Sequence, residues 1–248
     1  MPRDDWKNLP RLYVRAALAG ERRLAMPPDQ AHYLTRVMRR AAGDRVLLFN
    51  GSDGEWLGTI EAIRKNALDI LCLEQTRIQT HEPDLLLLFA PVKRDPMEYL
   101  LQKACELGVA RLQPVITHRT IARQVNIDRL RMIAREAAEQ SERLTLPEIL
   151  PPTPLASALT QLDERPLFAC LESGPSLPVA EAFTARQKSD SVALLTGPEG
   201  GFSAEEADLI RRHAQTIAVN LGPRILRADT AALAAIAVWQ ALRGDWQA

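Results

Sequence analysis

Apolar positions follow two regimes along this chain. Up to about residue 75 they come in short runs broken by turn residues, and from Leu85 onward continuous apolar runs alternate with helical stretches. In the first regime, residues 11–16 read as a short strand. Residues 28–40 read as a helix, with Ala31, Leu34, Val37 and Met38 on one face. Residues 45–49 predict a strand, and Asn50-Gly51-Ser52-Asp53-Gly54 is a strong turn. A strand over 56–63, a turn at Lys65-Asn66 and a strand over 68–73 follow. The pattern is that of a small β-barrel with one embedded helix.

Residues 76–84 are polar, include His81 and Pro83, and show no periodicity. They predict a linker between a first domain at 1–75 and a second at 85–248. The second domain opens on an apolar run at 85–90, as expected for a strand buried on both faces. A helix over 95–107 follows, with Asp95 as its expected N-cap, Met97, Leu100, Leu101, Ala104 and Cys105 on one face, and Gly108 as its stop. Strands are predicted at 109–116, 167–171, 192–195 and 217–219, and helices at 127–143, 204–212 and 230–242. Alternating strands and helices imply an α/β domain with a mostly parallel sheet covered on both faces.

Composition narrows the class. Of 248 residues, 46% are hydrophobic and 25% charged, enough for a full core. Formal net charge is zero, yet residues 1–50 carry ten Lys/Arg against five Asp/Glu. That asymmetry points to a local basic face and a polyanionic partner, or to a plain solvated surface. Cys72, Cys105 and Cys170 are far apart and form no C-x-x-C pair, so neither a metal site nor a disulfide framework is expected. The start of the chain is polar, with Asp4 and Asp5, and does not read as a signal peptide. The longest apolar run, 85–92, is too short to span a bilayer. A cytoplasmic protein without membrane partners is expected.

The candidate chemistry lies in two glycine-proline loops. One reads Leu195-Thr196-Gly197-Pro198-Glu199-Gly200-Gly201-Phe202-Ser203, the other Leu221-Gly222-Pro223-Arg224-Ile225-Leu226-Arg227-Ala228-Asp229-Thr230. Each follows a buried-strand pattern and leads into a helix, where α/β proteins place ligands. Glycines let backbone approach a ligand closely, and the apolar residues beside them suit a flat ligand such as adenosine. Ser203 fits an N-cap ahead of Glu205 and Glu206. Each loop taken alone also fits a tight strand-to-helix connection, and Arg227 could pair locally with Asp229. Neither a G-x-G-x-x-G nor a G-x-x-x-x-G-K-[ST] motif is present.

These loops resemble those of the RsmE family, bacterial 16S ribosomal RNA uridine-N3 methyltransferases of the SPOUT superfamily. The resemblance extends to Glu136 through Arg143 with Pro147-Glu148-Ile149, to His32 through Arg39, and to Phe49-Asn50-Gly51-Ser52. It also covers Met97-Glu98-Tyr99, Gln102-Lys103 and Glu106-Leu107-Gly108-Val109, and so nearly the whole chain in order. Asp229 and Ser141 depart from it, since the family more often has glutamate and cysteine there.

The resemblance implies a PUA-like RNA-binding β-barrel followed by a SPOUT methyltransferase domain whose parallel sheet ends in a trefoil knot. It implies S-adenosylmethionine as cofactor, a homodimer, and the small ribosomal subunit as partner, with U1498 of 16S rRNA as target. Leu195, Thr196, Gly197, Pro198, Glu199, Gly200, Gly201, Leu221, Gly222, Ile225, Leu226, Arg227 and Thr230 would hold the cofactor. Glu199 is the candidate base for the uridine N3 proton, and Arg227 the candidate for charge stabilisation. Glu139, Gln140 and Arg143 are candidates for a second wall. RNA contacts are expected from Arg11, Arg36, Arg39, Arg40, Lys93 and Arg94, and more weakly from Arg119 and Arg123. The competing readings are a non-catalytic RNA-binding or assembly factor, a related methyltransferase with another RNA target, and a small-molecule enzyme using a nucleotide cofactor.

Overall fold

A computed structural model describes residues 6, 8–64, 67–122, 124–185 and 191–247. The expected Lys65-Asn66 turn and Arg123 lie outside them. The chain divides into two units, one of Met1–His81 with Ala138–Leu146, the other of Glu82–Ala137 with Pro147–Ala248.

The first unit contains β1 (Arg11–Tyr13), β2 (Arg23–Met26), α1 (Pro28–His32), β3 (Arg45–Phe49), β4 (Glu55–Arg64) and β5 (Ala67–Arg77). They form a five-stranded sheet in the order β1-β3-β4-β5-β2. β1 runs parallel to β3, and the other pairs are antiparallel. Side chains alternating along the strands, among them Leu12, Leu24, Met26, Val46, Leu48, Ile60, Leu68 and Ile70, close on Ala31 and Leu34 to make the core. Gly58 is required inside it, because a Cβ there would lie 2.6 Å from Cγ2 of Ile70.

Several elements of this unit differ from the sequence reading. The long helix expected to reach Arg40 is α-helical only to His32 and continues as a π-helical turn, Tyr33–Val37, closed by Met38 N–H donating to the Tyr33 carbonyl at 3.0 Å. Arg39 then turns with φ +53°. β2 alternates exposed and buried residues over only four positions, too few to stand out as periodicity. β5 runs to Arg77, into the stretch read as linker.

The second unit contains β6 (Asp84–Phe89), α2 (Arg94–Glu106), β7 (Arg111–Ile116) and most of α3 (Ile127–Gln140). There follow β8 (Glu148–Ile149), β9 (Thr153–Pro154), α4 (Leu155–Thr160), β10 (Leu167–Cys170) and β11 (Leu177–Pro178). It ends with α5 (Val179–Ala185), β12 (Ser191–Thr196), α6 (Ala204–Arg212), β13 (Thr216–Asn220) and α7 (Ala228–Leu242). The eight-stranded sheet runs β11-β13-β10-β12-β6-β7-β8, with β9 also on β7, and every pairing is parallel.

β6 shows why the sheet is covered twice. Leu85, Leu87 and Phe89 join a core with α2, α3, α5 and α7, while Leu86 and Leu88 join another with α4 and Ile210 of α6. At the amino ends of the strands the Asp84 carboxylate accepts from Arg111 at 2.7 Å, Arg165 at 2.7 Å and Ser191 at 2.9 Å. That staple ties β6, β7 and β12 at the end away from their following loops. Asp95 is not the cap of α2: the helix begins at Arg94 after Lys93, and Asp95 lies in its first turn. α3 stops at Gln140, short of the expected Arg143, because Glu142 takes φ +59°.

Candidate functional site

β13, β10 and β12 are neighbours in the sheet, so the loops leaving their carboxyl ends meet. Each loop carries a Gly-Pro dipeptide: Gly174-Pro175 after β10, Gly197-Pro198 after β12 and Gly222-Pro223 after β13. Together with Arg119, from the loop after β7, they surround a cavity of about 470 Å³.

The loop after β12 is fixed from several sides. Gly201 N–H donates to the Pro198 carbonyl at 2.9 Å, and Gly201 takes φ +68°. A Cβ on Gly197 would lie 3.0 Å from the Phe202 ring. Ser203 caps α6 as expected: its hydroxyl accepts from Glu206 N–H at 3.2 Å, and the Glu206 carboxylate accepts from Ser203 N–H at 3.0 Å. The same carboxylate accepts from His118 N–H at 2.7 Å, and Arg119 donates to the Gly200 carbonyl at 2.6 Å. The turn carrying both is closed by the Thr117–Thr120 hydroxyl pair at 2.8 Å. In the loop after β13, Gly222 takes φ +99° and donates to the Asn220 side chain at 3.4 Å.

Of the residues expected to hold a cofactor, Thr196, Gly197, Pro198, Gly200, Gly201, Leu221, Gly222, Ile225 and Leu226 line this cavity. Leu195 does not: it is fully buried and belongs to the core shared with α4 and α6. Glu199, Arg227 and Thr230 are exposed and also stand outside the lining. Glu199 is flanked by Pro198 and Gly200, and Arg227 by Leu226 and Ala228, all four in the wall. Arg227 is the N-cap residue of α7, and no ion pair joins it to Asp229 among the described residues. The wall also includes Cys170, Leu171, Glu172, Ser173, Phe202 and Asn220, which were not among the expected cofactor residues, and Arg119, a weaker candidate for RNA contact. The available signal was Gly174-Pro175, a third Gly-Pro following an apolar run.

Burial pushes the Cys170 thiol up to about 12, so at neutral pH it is an apolar part of the wall. Among the described residues no group of three His, Cys, Asp or Glu could hold a metal ion.

The structure corrects two other expectations. Arg11 is buried, so it offers no cation to RNA. Its guanidinium donates to Glu55 at 2.5 Å, to the Ala138 carbonyl at 3.0 Å and to the Arg143 carbonyl at 2.6 Å, and lies 4.1 Å from the Phe49 ring centre. Glu139 and Arg143 form no wall of the cavity: Glu139 accepts from Tyr13 N–H at 3.0 Å, and Arg143 is buried in the first unit, while Gln140 is exposed outside the lining. Arg36, Arg39 and Lys93 are exposed, as is Arg94, which pairs with Glu98 at 2.9 Å. Arg40 is half-buried and reaches the Asn8 carbonyl at 3.5 Å. Trp56 is half-buried, with its N–H on the Asp53 carbonyl at 2.8 Å, and His32 is exposed at the end of α1.

Known proteins share this architecture. A family model described as an RNA methyltransferase domain matches residues 80–240, and one described as an RNA methyltransferase PUA domain matches 27–71. The Rickettsia conorii ribosomal RNA small subunit methyltransferase E is 35% identical over 228 residues, 92% of this chain and 93% of that protein. The chain belongs to this methyltransferase E family. The Synechocystis methyltransferase E is 31% identical over 94% of this chain and 77% of its own. A Neisseria gonorrhoeae methyltransferase E, solved bound to S-adenosyl methionine, superposes with a TM-score of 0.86 at 30% identity, over 96% of this chain and 100% of that one. In this member of the methyltransferase E family, the stretch matched at 80–240 contains every residue lining the cavity.

Proposed function

We propose that this chain methylates N3 of a uridine in the 16S rRNA of the small ribosomal subunit, using S-adenosylmethionine held in the cavity at the ends of β10, β12 and β13. The observation that carries this reading is the meeting of three Gly-Pro loops around one cavity in a chain of this family. The cavity suits the cofactor. At about 470 Å³ it falls in the size range of small-molecule sites. Leu171, Phe202, Leu221 and Leu226 supply apolar wall, and the glycine loops bring backbone polar groups to its rim.

When bound, the cofactor supplies an electrophilic methyl group on a sulfonium. The protein must place the acceptor in line and manage the charge on it. Uridine N3 carries a proton and becomes nucleophilic only as that proton leaves, when negative charge spreads to O2 and O4. Glu199 takes this proton, and Arg227 stabilises the charge. Both side chains are exposed while their neighbours line the cavity, which leaves them free for an arriving base.

Residues 1–75 serve as the RNA-binding domain, their sheet closing as a PUA-like barrel. Residues 85–248 serve as the catalytic domain, with the chain knotted through the two C-terminal loops. Arg36, Arg39, Arg40, Lys93 and Arg94 contact phosphates. The enzyme works in the cytoplasm as a homodimer, with α7 supplying apolar surface. No helix among the described residues is long and apolar enough to cross a membrane.

The test is transfer of label from S-adenosylmethionine to small subunits lacking N3-methyluridine, followed by nucleoside analysis and mapping. N3-methyluridine at one position, expected at U1498, is the predicted product. Label in a different nucleoside, or cofactor binding without transfer to any small-subunit RNA, would overturn the assignment.

A further inference from the structure

Three charged side chains line the cavity among the described residues: Arg119, Arg224 and Glu172. Their formal sum is +1, from two arginines and one glutamate. Arg119 is engaged by the Gly200 carbonyl. Glu172 has no hydrogen-bond or ion-pair partner among the described residues. The segment that follows it, in contrast, is held. Arg211 of α6 donates to the carbonyl of the next residue, Ser173, and Asn220 donates to the Ser176 hydroxyl at 3.3 Å.

The carboxylate also has a place reserved for it. Its Oε2 lies 3.2 Å from the point a Cβ on Gly201 would occupy, over the bare backbone of the loop after β12. A side chain at position 201 would press on it. An anchored segment therefore presents an unpartnered carboxylate to a cavity whose other charges are positive.

We propose that Glu172 is a specificity residue that favours the cationic methyl donor over its demethylated product. This rests on the reading of the cavity as the S-adenosylmethionine site. Donor and product share the adenosine, the ammonium and the carboxylate. They differ by one charge, because loss of the methyl group leaves the sulfur's bonding pair behind and turns a sulfonium into a neutral thioether. A cavity lined by two arginines alone would penalise that extra positive charge. Glu172, exposed at the mouth of the cavity like the two arginines, offsets them at the short range over which a sulfonium in the cavity would feel it. The selection therefore acts on donor binding and leaves product binding nearly unchanged.

The test measures dissociation constants of S-adenosylmethionine and S-adenosylhomocysteine by calorimetry for the wild type, Glu172→Gln and Glu172→Asp. Glu172→Gln is expected to weaken donor binding by about five- to tenfold and product binding by less than about twofold. Glu172→Asp, which keeps the charge, should restore most of the preference, and added salt should narrow the wild-type gap between the two ligands. A parallel loss for both ligands would make Glu172 a contact to a shared group such as the ribose and overturn the proposal. So would no change in either. If the wild type binds neither ligand, the reading of the cavity falls and this inference with it, whereas a failed ratio test with both ligands bound sinks the inference alone.

Discussion

The Arg119 guanidinium rests on Gly200: Nη1 donates to its carbonyl at 2.6 Å, and Cδ packs 3.5 Å from the point where a side chain at 200 would begin. The loop after β7 thus holds the loop after β12 at the cavity wall. Arg119→Ala removes a charge-assisted hydrogen bond to backbone, worth about 1 kcal/mol at so exposed a place. S-adenosylmethionine affinity should fall about three- to tenfold while the thermal midpoint of the ligand-free protein stays within about 2 °C. Calorimetry on the pair of proteins checks this, and unchanged affinity would show that the loop needs no such hold.

Gly201 and Gly222 separate backbone strain from crowding. Both have left-handed backbone, at φ +68° and +99°, so an alanine at either costs about 1–2 kcal/mol. Only at Gly201 does the new Cβ also meet a side chain, since nothing lies within 4 Å of the corresponding point at Gly222. Gly201→Ala should therefore lose more ligand affinity than Gly222→Ala at similar losses in denaturation free energy. Equal affinity losses would refute the crowding argument.

Arg11 and Arg36 differ in what their removal should do. Arg11→Ala leaves Glu55 buried without its main partner and strips donors from two carbonyls, which costs about 3–5 kcal/mol of stability. The salt dependence of RNA binding by the protein that remains folded should not change. Arg36→Ala, at an exposed position, should leave stability within about 0.5 kcal/mol and reduce the salt slope by about one. Urea unfolding and RNA titrations over a range of salt measure the two effects.

Glu98 gives the second unit an acid-labile contact. Hydrogen bonds from Arg129, then from Arg94, hold its carboxyl down at about 2 against an ordinary value of 4.5. Because the folded value is depressed, its stabilisation is fully present above about pH 4.5 and drains away as the pH falls toward 2. Glu98→Gln should lower the thermal midpoint at pH 7 and flatten its decline across that acid window. A variant that tracks the wild type from pH 5 down to pH 2 would show the triad to be inert.

Local signals carried the fold a long way. Helix α6 begins and ends where its pattern placed it, because Ser203 and Glu206 satisfy its first N–H groups from within four residues. The π-helical turn at Tyr33–Val37 escaped, since an apolar stripe does not distinguish i+4 from i+5 closure. Distance along the chain hid the rest. Arg11 was legible as a strand residue, but its acceptors at Ala138 and Arg143 lie 127 and 132 residues away. The cavity was read from two loops because β10, whose loop completes it, precedes both in sequence yet lies between β12 and β13 in the sheet. Strand order is a tertiary property, and only the repeated Gly-Pro dipeptide betrayed it.

The membership of Ala138–Leu146 in the first unit sets a timetable for synthesis. Everything that unit's sheet requires has been translated by Arg77, yet Arg11 still lacks the carbonyls of Ala138 and Arg143. A growing chain must carry that arginine with only Glu55 as its acceptor while α2, β7 and α3 are being made. The N-terminal unit therefore matures only after residues 82–137 of the second have been translated, and a fragment cut after His81 would keep the strands and the Arg11–Glu55 pair but lack the two carbonyls that complete the guanidinium's hydrogen bonds.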